Sequence, residues 1–192
     1  MISFKELLED NPVVAAIRCD ADLEFICRSD IKIVFVLYGN VLNIKNTCDS
    51  LKAKDKTIFI HLDMVEGLKA DHKGVEFIKE LVNPYGIIST RGIMLKHAAQ
   101  LGMFTIQRIF MLDSLSLETS IKNIHTFTPN AVEVLPGIAS KAIKTIEKKI
   151  RQPIIAGGLI KSKRDAIEAL SSGAVAVSTS SYELWDIEEM SS

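Results

Sequence analysis

The chain has 192 residues, 47% of them hydrophobic, 24% charged and 6% aromatic, with 23 lysines and arginines against 24 aspartates and glutamates. That apolar content excludes a disordered chain, and a net charge of −1 excludes a basic domain that grips nucleic acid by bulk attraction. The longest apolar stretches, around 33–38 and 154–160, fall short of the roughly 18–20 residues of a membrane span.

The opening MISFKELLED is amphipathic and acidic, unlike a secretory signal. Eight short, largely β-branched runs then follow in chain order, at 13–17, 31–37, 57–62, 86–89, 104–109, 131–134, 154–156 and 174–177. Each gives way to polar or glycine residues and then to a helical pattern. Val75, Ile78, Leu81 and Val82 make one apolar stripe at helical spacing, and Ala139, Ala142, Ile143, Ile146 and Ile150 make another. Ser162 with Asp165 has the spacing of a capping box. Cys19, Cys27 and Cys48 are odd in number and lack metal-type spacing, which fits free thiols in a reducing cytoplasm.

Strict strand–helix alternation implies a parallel sheet, either an open doubly wound one or a closed barrel. The alternation inside strands decides for closure. Ile58, Ile60 and Leu62 share one face while Thr57, His61 and Asp63 share the other, as a barrel wall between helices and lumen requires. The expectation is a compact (β/α)8 TIM-type barrel, a single α/β domain over 1–192.

In such barrels ligands bind at the C-terminal ends of the strands. Those ends carry Arg18, His61, Asp63, Ser89, Arg91, Gln107, Arg108 and Glu133, a set able to bind the charged and hydroxyl groups of a small molecule. Gly157 and Gly158 end the seventh strand, and Ser178 and Thr179 end the eighth. Glycine lets main-chain N–H groups approach an anion closely, so these four residues are candidate phosphate ligands. A tight βα turn and a helix cap would use the same residues. His61 and Asp63 also have the look of half a metal site, to be completed by Glu66 or Glu133, but no diagnostic metal motif accompanies them. No lysine stands at a strand end, and there is no nucleophile elbow, P-loop or zinc-protease motif. A ligand pocket without catalytic residues is the expectation; a phosphate-binding barrel enzyme, glycerophosphodiester hydrolase-like or a sugar-phosphate isomerase, is the alternative.

The runs PVVAAIR, VLYGNVLNIK, HLDMVEGL, GIISTR, FTIQRIFMLDS, AVEVLPG, PIIAGGLI and AVAVSTSSYELW, in this order from Pro12 to Trp185, resemble the glycerol uptake operon antiterminator regulatory protein family. The resemblance implies a cytoplasmic bacterial regulator with no cofactor, which binds glycerol 3-phosphate as its effector and then the leader mRNA of a glycerol-utilisation operon. For RNA contact, Lys161, Lys163 and Arg164 form one basic cluster, and Lys141, Lys144, Lys148 and Arg151 recur at spacings of three and four on the helix after the sixth strand. Tyr182 and Trp185 either stack on bases or pack the last helix. With no residues left over for a separate RNA-binding module, the barrel itself must do the work, with a homo-oligomer as a further expectation.

Overall fold

The computed structural model describes residues 3–186. Eight parallel strands pair each with the next and the last with the first: β1 (Val13–Ile17), β2 (Ile33–Val36), β3 (Thr57–His61), β4 (Gly86–Ser89), β5 (Phe104–Phe110), β6 (Ala131–Leu135), β7 (Ile154–Gly157) and β8 (Ala176–Thr179). The sheet closes on itself as the expected (β/α)8 barrel. Helices α2 (Asp20–Ile26), α3 (Ile44–Lys52), α4 (His72–Leu81), α5 (Gly92–Gln100), α6 (Ser114–Phe127), α7 (Ser140–Glu147) and α8 (Lys163–Ser171) make the outer shell. A further helix, α1 (Phe4–Asp10), precedes the first strand, and a one-turn helix, α9 (Tyr182–Trp185), follows the last.

Strand alternation divides the core in two. Val34, Val36, Ile58, Ile60, Ile87, Val132 and Val134 point outward and pack with helix residues such as Ile26, Leu51, Val75, Leu95 and Ile143. Val14, Ala16, Ile33, Phe35, Phe59, Ile88, Ile106, Ala131, Ile155 and Ala176 fill the lumen. Helix α1, held at its start by a capping box between Ser3 and Glu6, presses Phe4 and Leu8 against this inner cluster and closes the bottom of the barrel. Phe4 stacks obliquely on Phe59 and Phe104 at 5.5 and 5.1 Å between centroids.

Several strand ends shift by one or two residues from the sequence reading, and two strand starts differ. β2 starts at Ile33 rather than 31, because Ile31 carbonyl accepts from the Lys56 ammonium. β8 starts at Ala176, because Ala174 N–H still bonds back to Ala169 at the end of α8. The Ser162–Asp165 capping box is formed as expected, and the three cysteines are free thiols. Helix α7 ends at Glu147, so Lys148 and Arg151 lie in the turn toward β7 and do not extend the basic face of the helix. Among the described residues, no helix is long and apolar enough to cross a membrane.

Candidate functional site

One residue beyond the apolar floor on each lumen face, the side chains become polar. His61 stands two residues after Phe59, Arg108 two after Ile106, Glu133 two after Ala131, Gly157 two after Ile155 and Ser178 two after Ala176, so all five share the next layer up the lumen. Within it Arg108 Nε donates to Glu133 Oε2 at 2.6 Å, and Ser178 Oγ donates to Glu133 Oε1 at 2.5 Å. Both carboxylate oxygens are engaged while Glu133 is only 1% exposed, as a buried charge demands. Gly157 makes the arrangement possible. A Cβ there would lie 2.6 Å from both Glu133 Oε1 and Ser178 Oγ, so any side chain would push between them.

Above this layer opens a cavity of about 710 Å³, lined by Arg18, Leu37, Arg108, Glu133, Leu135, Gly158, Leu159, Lys161, Ser178, Thr179 and Ser180 among others. Its size fits a small-molecule site. Its β7–β8 wall is tied by side-chain hydroxyls: Thr179 donates to Ile160 carbonyl at 2.6 Å and Ser181 to Lys161 carbonyl at 3.0 Å. Trp185, fully buried, donates its indole N–H to Thr179 carbonyl at 2.9 Å, and Tyr182 stacks on Phe25. Trp185 therefore packs the last helix, whereas Tyr182, its hydroxyl on Asp22, remains 44% exposed. Gly158 and Leu159 both have left-handed backbone, φ +73° and +62°, which turns the chain sharply beside the cavity. For Leu159, a branched and exposed residue, that conformation is strained.

Of the sequence candidates, Arg18, Arg108, Glu133, Gly158, Ser178 and Thr179 line this cavity, with Gly157 directly beneath. The hydroxyls of Ser178 and Thr179 donate to Glu133 and to Ile160 carbonyl, which braces this wall of the site. Lys161, read from sequence with the RNA cluster, faces the cavity, while Lys163 and Arg164 stand exposed in the first turn of α8. Arg18 is 61% exposed at its side chain, and its main-chain N–H is held by the buried Asp22 at 2.7 Å.

His61, Asp63, Ser89 and Arg91 form a separate polar cluster on the β3–β4 side. Asp63, in a single 3-10 turn at Leu62–Met64, accepts from Ser89 Oγ and Thr90 N–H at 2.9 Å each, and Arg91 Nε lies 3.6 Å from its other oxygen. His61 Nδ1 has no hydrogen-bond partner and sits 3.9 Å from Asp63. Burial, then the Arg108 cation, push its pKa down to about 4, against a smaller upward pull from Asp63, so the imidazole is neutral near pH 7. Gln107 departs from the mouth reading. It alternates with Arg108 and therefore points away from the lumen, buried beneath the helical shell with Oε1 unpaired. Among the described residues, no three His, Cys, Asp or Glu side chains converge as a metal-binding group.

A family model described as glycerol-3-phosphate responsive antiterminator matches residues 13–185. An uncharacterized protein of Escherichia coli K12, YgcP, is 39% identical over 181 residues, covering 94% of this chain and 95% of that one. The crystal structure of the glycerol uptake operon antiterminator regulatory protein from Listeria monocytogenes superposes with a TM-score of 0.89 at 34% identity, covering 92% of this chain and 95% of the other. A glycerol uptake operon antiterminator-related protein from Thermotoga maritima gives 0.81 at 32% identity, with 91% and 98% covered. By sequence along almost its whole length, and by a fold matched at the same span, the chain belongs to the glycerol-3-phosphate responsive antiterminator family.

Proposed function

We propose that the protein is a cytoplasmic sensor of glycerol 3-phosphate that, once loaded, binds the leader mRNA of a glycerol-utilisation operon and suppresses its terminator. The observation that carries this is the cavity over the Arg108–Glu133–Ser178 layer, cationic at its rim through Arg18 and Lys161 and turned tightly at Gly158. In this reading the phosphate sits at the β7–β8 wall, against Lys161, Arg18 and the main-chain N–H groups around Gly158 and Ser180. Arg108, with one N–H on Glu133, offers its remaining donors to the glycerol hydroxyls or a phosphate oxygen. His61, Asp63, Ser89 and Arg91 shape the opposite wall.

The same geometry favours sensing over chemistry. A carboxylate with both oxygens bonded, one to a guanidinium, is a poor general base, and a neutral His61 without a hydrogen-bonded orienting partner is not set up as one half of a catalytic pair. The test is calorimetric titration with glycerol 3-phosphate, glycerol and inorganic phosphate, followed by leader-RNA binding with and without the effector. Glycerol 3-phosphate should bind far more tightly than either fragment, and RNA affinity should rise in its presence. No binding of the phosphoester, or RNA affinity indifferent to it, overturns the reading. A panel of phosphodiesters should show no turnover.

A further inference from the structure

At the other end of the barrel, beneath the closed floor, lies a second cleft of about 400 Å³ that the mouth does not account for. Lys52 reaches it from the end of α3, Lys56 from the entry to β3 and Lys79 from the last turn of α4; Tyr85, Phe104 and Gly102 are among the other residues of its wall. Three lysines thus converge from three elements. Among the described residues, none of the three takes part in an ion pair within 4.0 Å. Lys56 is buried, giving its ammonium to Ser29 and Ile31 carbonyls at 2.6 and 2.7 Å, and Lys52 bonds Val82 carbonyl. Burial, then the neighbouring Lys32, hold the pKa of Lys56 below the ordinary lysine value, against a smaller upward pull from Asp30. Positive charge is concentrated here at a net molecular charge of −1, with Asp30 acting on Lys56 and no ion pair made by Lys52 or Lys79 among the described residues.

The aromatic wall is equally specific. Tyr85 lies parallel to Phe104 at 4.7 Å with 1° between the rings, and is 40% exposed. Phe59 meets it edge-on at 5.6 Å from inside the lumen, and Phe4 flanks it at 6.4 Å. The ring is therefore fixed in orientation while a large part of it stays open to the cleft. Gly102, with φ +75° and nothing within 4 Å of where a Cβ would stand, leaves the space beside it clear. A rigid exposed ring with lysines outside any ion pair beside it matches what a single-stranded nucleotide offers: a flat base to stack and phosphates to pair.

We infer that this basal cleft, formed by Tyr85 with Lys52 and Lys79, is a binding site for one unpaired nucleotide of RNA, its base on Tyr85 and its flanking phosphates on the lysines. The inference rests on the antiterminator reading and deepens it by naming the surface that holds the transcript. It puts RNA on the face opposite the effector cavity, and not on the basic turn at Lys163 and Arg164. The lumen offers a packed connection between the two ends, since Phe59, against Tyr85, is two residues below His61 on β3.

The test uses a fluorescein-labelled single-stranded RNA oligonucleotide, glycerol 3-phosphate at saturation, and anisotropy across a salt series. Tyr85→Ala should weaken binding by about five- to a hundredfold, whereas Tyr85→Phe should stay within about twofold of wild type. Lys52→Gln with Lys79→Gln should lower the log–log salt slope by about 1.4, the value for two lost phosphate contacts on a single strand. Lys79→Gln alone, which breaks no hydrogen bond to the main chain, should lower it by about half that. Effector titration of each variant verifies folding, because the mouth lies at the far end. Wild-type affinity and slope in both Tyr85→Ala and Lys79→Gln overturn the inference while leaving the antiterminator reading intact. Failure of the wild-type protein to bind RNA overturns both.

Discussion

Arg108 and Glu133 are Cα partners on adjacent strands, and their side chains meet at 2.6 Å in the lumen with 8% and 1% of their surfaces exposed. A pair this deep is held by mutual compensation rather than by net attraction, so removing one partner strands the other. Arg108→Met alone should destabilise the fold by about 3–5 kcal/mol. Arg108→Met combined with Glu133→Gln should cost clearly less than the sum of the single changes. Urea melts of the three variants, read as a double-mutant cycle, check this; additivity would mean the two groups are not coupled.

The depressed His61 pKa gives stability a defined acid limb. A group whose pKa falls from 6.5 unfolded to about 4 folded stabilises the protein above 6.5, and loses that contribution as pH drops through the interval. The whole contribution is about 3 kcal/mol. His61→Asn should flatten the decline in urea midpoint between pH 6.5 and 4, and Arg108→Met should raise the imidazole pKa as seen by NMR, because a facing cation has gone. An unchanged acid limb in His61→Asn would assign it to carboxylates elsewhere.

Gly157→Ala tests the narrowest point of the site. The new methyl would meet Glu133 and Ser178 side-chain oxygens at 2.6 Å, and the hydrogen bonds among Arg108, Glu133 and Ser178 leave these buried groups little freedom to withdraw. A stability loss of about 1–3 kcal/mol should accompany a loss of glycerol 3-phosphate affinity of tenfold or more. Calorimetry and thermal melts measure the two effects on one sample.

Trp185 is the chain's single tryptophan and bonds to Thr179 on the cavity wall. Glycerol 3-phosphate should therefore change its emission with a saturable dose response, and glycerol alone should not. Trp185→Ala should destabilise by about 3–5 kcal/mol, as loss of a fully buried large ring does.

Much of this architecture is readable from the chain because each strand carries its own periodicity. Ile58, Ile60 and Leu62 against Thr57 and His61 already separate wall from lumen, and Gly157 with Ser178 already marks the mouth. Strand-end position does not by itself say which face a residue takes, and so Gln107 reads as equivalent to Arg108 although the pleat sends it outward. The commitments of Ser178 and Thr179 hydroxyls are invisible for a different reason: their acceptors, Glu133 and Ile160, come from other strands and loops. The basal cleft is the extreme case. Lys52, Lys79 and Tyr85 sit in helix ends and a strand entry that look like ordinary solvated surface until the barrel closes and turns them toward one another.

Helix α1, with Phe4 and Leu8 seated among the lumen residues, makes the barrel a cup and not a pipe. Packed side chains separate the mouth cavity from the base. Whatever the mouth registers must reach the lower face as displaced side chains, through Phe59 and the rings around it, and substitutions at Phe4 or Phe59 become the place to look for a protein that still holds both ligands but no longer lets one report on the other.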